Sequence, residues 1–167
     1  MKLKSKKNNF KVKKVNINDE LWILKLYNFY VRKKIFNSLN EVKLTEHRKW
    51  YAKAMQDFFL KLSYGDNNCG YIRIEKSNTI KKSFEISIAI KNQYIGKGFG
   101  EKLLKTAISK FYKKKTNRKN KLIALVKKNN IISLNFFLKN NFKEIKIKNQ
   151  YNSKLKKLKI CQFNYET

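Results

Sequence analysis

The stretch AIKNQYIGKGFGEKLLKTAISKFY, residues 89–112, holds three of the chain's five glycines within five positions. It stands at a change of period. Before it, SFEISIAI (83–90) alternates strictly, with Phe84, Ile86, Ile88 and Ile90 on one side and Glu85, Ser87 and Ala89 on the other, as a strand does. After it, Leu103, Leu104, Ala107, Ile108 and Phe111 recur at helical spacing. A strand, then Gly96-Lys97-Gly98-Phe99-Gly100, then a helix presents free backbone N–H groups at the positive end of a helix dipole. That arrangement suits a phosphate. It is not a P-loop, because no Lys-Ser/Thr pair follows the spaced glycines. The dinucleotide fingerprint also fits poorly, because the glycine spacing is wrong and the preceding strands read as hairpins.

Outward from this stretch the chain alternates types. NFKVKKV (9–15) reads as a strand, and Asp19 is placed to cap a helix over ELWILKLYNFYVRKK, with Leu24, Tyr27 and Val31 on one face. Thr45 is placed to cap a second helix, on which His47, Trp50, Tyr51 and Ala54 share a face. FFLKLSY and CGYIRIE flank Gly65-Asp66-Asn67-Asn68 as a hairpin. LIALV (122–126) reads as a buried strand, residues from about Asn130 to Asn140 as a helix, and LKKLKICQFNYE as a last strand. The fold class is α/β, one domain over 1–167, with a basic and flexible segment at 1–8.

Composition narrows the class of protein. With 167 residues, 42% of them apolar, the chain can build a core and is not disordered. No apolar run approaches the length of a membrane span, and the basic start lacks the apolar region of a signal peptide. Two cysteines, Cys69 and Cys161, with no CxxC or Cys/His pair, point to a reduced cytoplasmic protein without a metal site. The formal charge of +30 invites a nucleic-acid reading. Yet the basic residues are nearly all lysine, and proline, which average usage near 5% would place about eight times, is absent. That bias towards AT-rich codons accounts for the charge without a polyanionic partner, so nucleic acid is disfavoured. The surface still attracts phosphorylated small molecules.

EISIAIKNQYIGKGFGEKLL, followed about thirty residues on by ALVKKNNIISLNFFLKNNF, resembles the GNAT N-acetyltransferases. The first segment is similar to their pyrophosphate loop and helix, the second to their V…N…S…LF…K…GF stretch. The resemblance runs from residue 9 over nearly the whole chain. It implies a central mixed twisted sheet of about six to seven strands flanked by four helices, and acetyl-CoA as acetyl donor. It also implies direct attack by an acceptor amine in a ternary complex, without an acyl-enzyme. On this resemblance Ile88, Ala89 and Ile90 hold the pantetheine arm, and the backbone of Ile95, Gly96, Lys97, Gly98, Phe99 and Gly100 holds the pyrophosphate. Asn130 and Ser133 lie on the CoA side. Two departures stand out. Ile95 takes the place of the family's Gln/Arg, so the loop contact rests on backbone N–H groups. Phe137 takes the place of the tyrosine that protonates the departing thiolate in many relatives, an aid typically worth about 10²–10⁴-fold.

The reaction needs a base for the amine. Glu85, one of eleven acids, sits among apolar residues on the central strand and is the first candidate; His47, the one histidine, is the alternative. The segment LYNFYVRKKIFNSLNEVKLTEHRKWY resembles the acetyltransferases of amino-sugar nucleotides in nonulosonic (pseudaminic) acid biosynthesis, which read WRN…VR…F…I…H…W. Asn28, Val31-Arg32, Phe36, Val42, His47 and Trp50 follow at similar spacing, although Trp-Arg is replaced by Leu26-Tyr27. This implies an amino-sugar nucleotide as the small-molecule substrate, with Arg32 on the diphosphate, Trp50 and Tyr51 stacking, and His47 bonding a hydroxyl or phosphate. Two other readings stay open: acetylation of protein N-termini of the ribosomal-protein type or of another small amine, and a non-catalytic basic module binding nucleic acid. A homodimer is compatible with all three.

Overall fold

A computed structural model describes residues 9–36, 38, 40–114, 119–146 and 157–163. The basic segment at 1–8 and both ends of the last expected strand lie outside the described residues. Among the described residues, seven strands form one sheet: β1 (Phe10–Lys14), β2 (Phe58–Tyr64), β3 (Asn67–Lys76), β4 (Ser83–Ile90), β5 (Lys121–Lys127), β6 (Phe142–Ile145) and β7 (Leu158–Phe163), in the order β1-β2-β3-β4-β5-β7-β6. Four helices cover it: α1 (Glu20–Arg32), α2 (Leu44–Ala54), α3 (Phe99–Lys113) and α4 (Ile131–Lys139). Among the described residues, no helix is long and apolar enough to cross a membrane, and no group of His, Cys, Asp and Glu could hold a metal ion.

The alternation of β4 sorts the two layers. Ile86 and Ile90 enter the larger core with Leu103, Leu104, Ala107 and Phe111 of α3 and with Leu134 and Phe137 of α4. Ala89, on the opposite face, enters a second core with Ile23, Leu26 and Tyr30 of α1 and Tyr51 and Ala54 of α2. The sheet therefore lies between α3/α4 and α1/α2.

One break in the ladder creates the site. All neighbours pair antiparallel except β4 and β5, which run parallel and pair over three positions only: Ser83 with Lys121, Phe84 with Leu122, Glu85 with Ile123. Beyond Glu85 each strand keeps its outer partner, β4 with β3 and β5 with β7, and the inner edges diverge. Backbone groups on those inner edges do not pair across the gap between β4 and β5.

Two expected helix caps are corrected. Asp19 makes no capping bond to α1. Its carboxylate instead accepts from Asn16 N–H at 2.9 Å, Trp22 Nε1 at 2.8 Å and Lys61 Nζ at 2.7 Å, tying a 3₁₀ turn (Ile17–Asp19) to β2. Thr45 lies inside the first turn of α2, which begins one residue earlier and is flanked by Lys43. In both places a better-placed partner, or one more residue of helix, overrides the local cap signal.

Candidate active site

The glycines open the site. Gly96 and Gly98 have φ of +75° and +79°, where a side chain is strained, and a β-carbon at either would meet open space. Backbone conformation is what requires glycine there. Gly100 differs: a β-carbon would stand 3.2 Å from Cε2 of Phe136, so its bare α-carbon lets α3 approach α4. α3 starts at Phe99, and its first intrahelical bond runs from Lys102 N–H to the Gly98 carbonyl. The N–H of Ile95 already donates to Asn92 O at 3.1 Å, which leaves the N–H groups from Gly96 onward for the contact that the resemblance implies. Phe99 is buried on Phe10, Tyr64 and Tyr94 and offers only its backbone.

A cleft of about 350 Å³ runs from this loop, past Ile88 and Ile90 of β4, to Asn130, Ser133 and Phe136. Asn130 caps α4, its side chain accepting from Ser133 N–H at 3.1 Å. The end of α4 answers to the second sequence motif in conformation: Asn141 has φ of +63°, the left-handed position where glycine precedes phenylalanine in the family's pattern. Ile88, Asn130, Ser133 and Phe136 also border a second cavity of about 280 Å³, at the opening between β4 and β5. The two spaces form one passage. Ile35 and Phe36, from the connection after α1, border both.

The second cavity is aromatic and basic. Tyr27, Trp50, Phe59 and Tyr71 line it, and the guanidinium of Arg73 stacks on Trp50 at 4.7 Å. Burial pushes the Tyr71 phenol above its usual range, so it stays protonated. Phe137 borders the cavity with a ring that can give no proton. Tyr30, on the loop side, donates its hydroxyl to the Ile90 carbonyl.

The candidate residues divide. Ile88, Ile90, Ile95, Gly96, Gly98, Gly100, Asn130, Ser133, Phe137 and Trp50 border the passage, whereas Lys97 and Ala89 are not among its lining residues. Glu85 is not among its lining residues either; it lies two residues before Ser87 on the same face of β4 and accepts hydroxyl bonds from Ser77 and Thr79. Across the ladder it faces Glu75, whose carboxyl burial holds above the usual range, Arg73 opposing and the Glu85 charge adding.

Arg32, His47 and Tyr51 lie apart from the passage. Arg32 is exposed and pairs with Glu41 at 2.6 Å. Tyr51 is fully buried and donates to Asn16 O at 2.8 Å. His47 is 3% exposed, stacked on Tyr51 and beside Trp50, and its Nε2 has no hydrogen-bond partner. Burial lowers its pKa, against the charge and backbone hydrogen bond of Glu20. Arg73 and Tyr71, in contrast, line the second cavity, although the sequence resemblance points to neither as a site residue. Their alternation along GYIRI carried the signal, since both share the Glu85 face of the sheet.

The acetyltransferase (GNAT) family model matches residues 23–142. No curated protein matches the sequence. Among solved structures, an N-acetyltransferase from Staphylococcus aureus Mu50 is similar, at 16% identity and a TM-score of 0.73, over 93% of this chain and 96% of that one. So is yncA from Salmonella typhimurium, solved with its cofactor acetyl-CoA, at 17% identity and 0.71 over 93% and 92%. A ribosomal-protein-alanine N-acetyltransferase from Brucella melitensis follows at 20% identity and 0.68, over 90% and 96%. At such identities the likeness is one of fold.

Proposed function

The chain belongs to the GNAT acetyltransferase family and is an acetyl-CoA-dependent N-acetyltransferase, and on that premise we propose that its acceptor is the amine of a nucleotide-linked amino-deoxy sugar, which attacks the thioester directly. The observation that carries the reading is the single passage between β4 and β5. It joins a glycine-rich helix N-terminus, suited to a pyrophosphate, to an aromatic and basic cavity suited to a sugar and its phosphates.

In this reading pyrophosphate lies on the N–H groups from Gly96 to Gly100, and the pantetheine arm follows the free inner edge of β4. The acetyl group then reaches the level of Ser87 and Ile88, under Phe36. Glu85 lies two residues further along the same face, ~7 Å away, and takes the amine proton through water. Positive donors near the tetrahedral oxyanion come from the unpaired backbone of β4. Phe137 leaves the thiolate to be protonated by water, which a thiol of pKa ~8.5 tolerates.

The α1–α2 connection supports the acceptor class. Asn28 and Val42, both in the segment that resembles the amino-sugar-nucleotide enzymes, bond reciprocally: Asn28 Nδ2 to Val42 O and Val42 N to Asn28 Oδ1, each 2.9 Å. This pins the connection that carries Phe36 over the cavity. The test is thiol release from acetyl-CoA with three amines side by side: a UDP-linked 4-amino-deoxy sugar, the same sugar without the nucleotide, and a ribosomal-protein N-terminal peptide. The sugar nucleotide should be favoured over the free sugar, because remote contacts help to position the amine. Preference for the peptide overturns the acceptor and leaves the CoA chemistry standing.

A further inference from the structure

The charges bordering the acceptor cavity are all of one sign. Arg73 and Lys127 line it, and no aspartate or glutamate does among the described residues. Lys127 is held at the rim, its Nζ donating to the Lys34 carbonyl at 2.9 Å. Arg73 is fixed from two sides: its guanidinium lies over the exposed Trp50 ring, and one Nη2 is bonded to Glu75. Its side chain is 13% exposed. A guanidinium has five N–H donors, so the bond to Glu75 orients the fork without exhausting it. A rigid, mostly desolvated fork facing an aromatic pocket is preorganised for a planar or tetrahedral anion. Arg32, which the sequence pattern offered for that task, is exposed and spends its charge on Glu41 outside the cavity.

We propose that Arg73, stacked on Trp50 and braced by Glu75, selects acceptors carrying an anionic group beside the amine, and that the cavity discriminates against cationic amines. This rests on the reading that the cavity holds the acceptor, and it deepens that reading by naming the residue and the chemistry. The anion is a phosphate of a nucleotide or a carboxylate of an amino acid. Both are met by the same fork. A polyamine or a lysine side chain brings a second positive charge towards Arg73 and Lys127, where Glu75 is already bonded to Arg73 and no acid lines the cavity among the described residues. No bond to Arg73 forms or breaks during transfer; it is a binding and positioning group.

The test compares kcat/KM for a UDP-linked amino sugar, glutamate and spermidine in the wild type and in Arg73→Gln, Arg73→Lys and Arg32→Ala. The wild type should prefer an anionic amine over spermidine, and that preference should weaken with added salt. Arg73→Gln should reduce the ratio of anionic to cationic kcat/KM by about 10- to 100-fold, mainly through KM. Arg73→Lys should restore part of it, and Arg32→Ala should preserve it. The UDP-sugar and glutamate arms tell phosphate from carboxylate; glutamate as the better substrate overturns the nucleotide reading while the anion selection stands.

A binding measurement stands apart from turnover. In a Trp22→Phe background, which leaves Trp50 as the fluorophore, UDP or glutamate added to the CoA-saturated protein should alter its emission, and Arg73→Gln should abolish the response. Spermidine preferred by the wild type, equal losses on all three amines in Arg73→Gln, or no response of Trp50 to either anion would each overturn the proposal. Absence of any thermal shift with acetyl-CoA fails the cofactor assignment instead.

Discussion

The hydroxyl of Tyr30 donates to the backbone carbonyl of Ile90, joining the end of α1 to the last residue of β4 sixty positions away. Tyr30 also borders the cleft that leads from the glycine loop, and its ring stacks on Phe36, which roofs the passage. Burial raises its phenol above the usual range, so it remains a donor at neutral pH. Tyr30→Phe should therefore cost about 1 kcal/mol of stability through the lost bond, and should weaken acetyl-CoA binding through the loosened roof. Chemical denaturation and calorimetric titration read the two effects; loss of stability with unchanged affinity would show that the bond only braces the fold.

The two kinds of glycine should separate in experiment. Acetyl-CoA at 100 times its Kd should stabilise the wild type by about 2.7 kcal/mol. Gly98→Val forces a β-branched residue to φ +79°, a strain of at least ~1–2 kcal/mol, and should lose most of the ligand-induced shift. Gly100→Ala meets Phe136 at 3.2 Å, so it should move that ring into the passage and weaken binding with a smaller change in stability. Thermal shifts with and without acetyl-CoA measure both. Equal shifts in all three proteins would remove the loop from the cofactor site.

Glu85→Gln tests the base. Turnover should fall by about 10²-fold or more, with acetyl-CoA affinity retained. Undiminished activity of Glu85→Gln over roughly pH 6–9 assigns the proton transfer elsewhere.

His47 gives stability a pH dependence of definite sign. Its folded pKa lies below the ordinary 6.5, chiefly through burial. Below that ordinary value the unfolded chain binds a proton that the folded chain resists, so stability falls as pH drops through and below 6.5, by at most about 1.4 kcal/mol per pH unit. Glu75, raised above 4.5, acts oppositely, favouring the folded state at the acid end. The difference between wild type and His47→Gln isolates the histidine: the stability of the wild type relative to the variant should decline as pH falls below the ordinary 6.5. Urea midpoints at several pH values measure it, and parallel curves would mean that His47 titrates alike in both states.

Asn28 makes a further case. Its side chain bonds both the carbonyl and the N–H of Val42, as a neighbouring strand would. Asn28→Ala leaves two half-buried backbone groups to find water and should cost about 1–3 kcal/mol. Amide exchange at Val42 should accelerate more than exchange in the sheet, because the connection after α1 opens first. Uniform acceleration would instead place Asn28 among the determinants of global stability.

What the sequence determined are the properties that neighbours along the chain decide. Alternation over 83–90 set the two faces of β4, and helical spacing after residue 100 set the buried side of α3, because pleat and turn fix where each side chain points. Gly96 and Gly98 of the loop followed from backbone conformation alone, and a left-handed Asn141 does the same work without glycine. Short β6, four residues long, carried too little alternation to be separated from the tail. What only the tertiary structure decided is which polar groups meet at the site. Arg32 and Arg73 are both plausible anion receptors as letters; the one faces Glu41 and water, the other a cavity that exists only because β4 and β5 part after Glu85. Asp19 was likewise drawn from capping to Lys61, forty-two residues away. A pairing that stops after three residues is a balance of long-range contacts, and no local period in either strand records it.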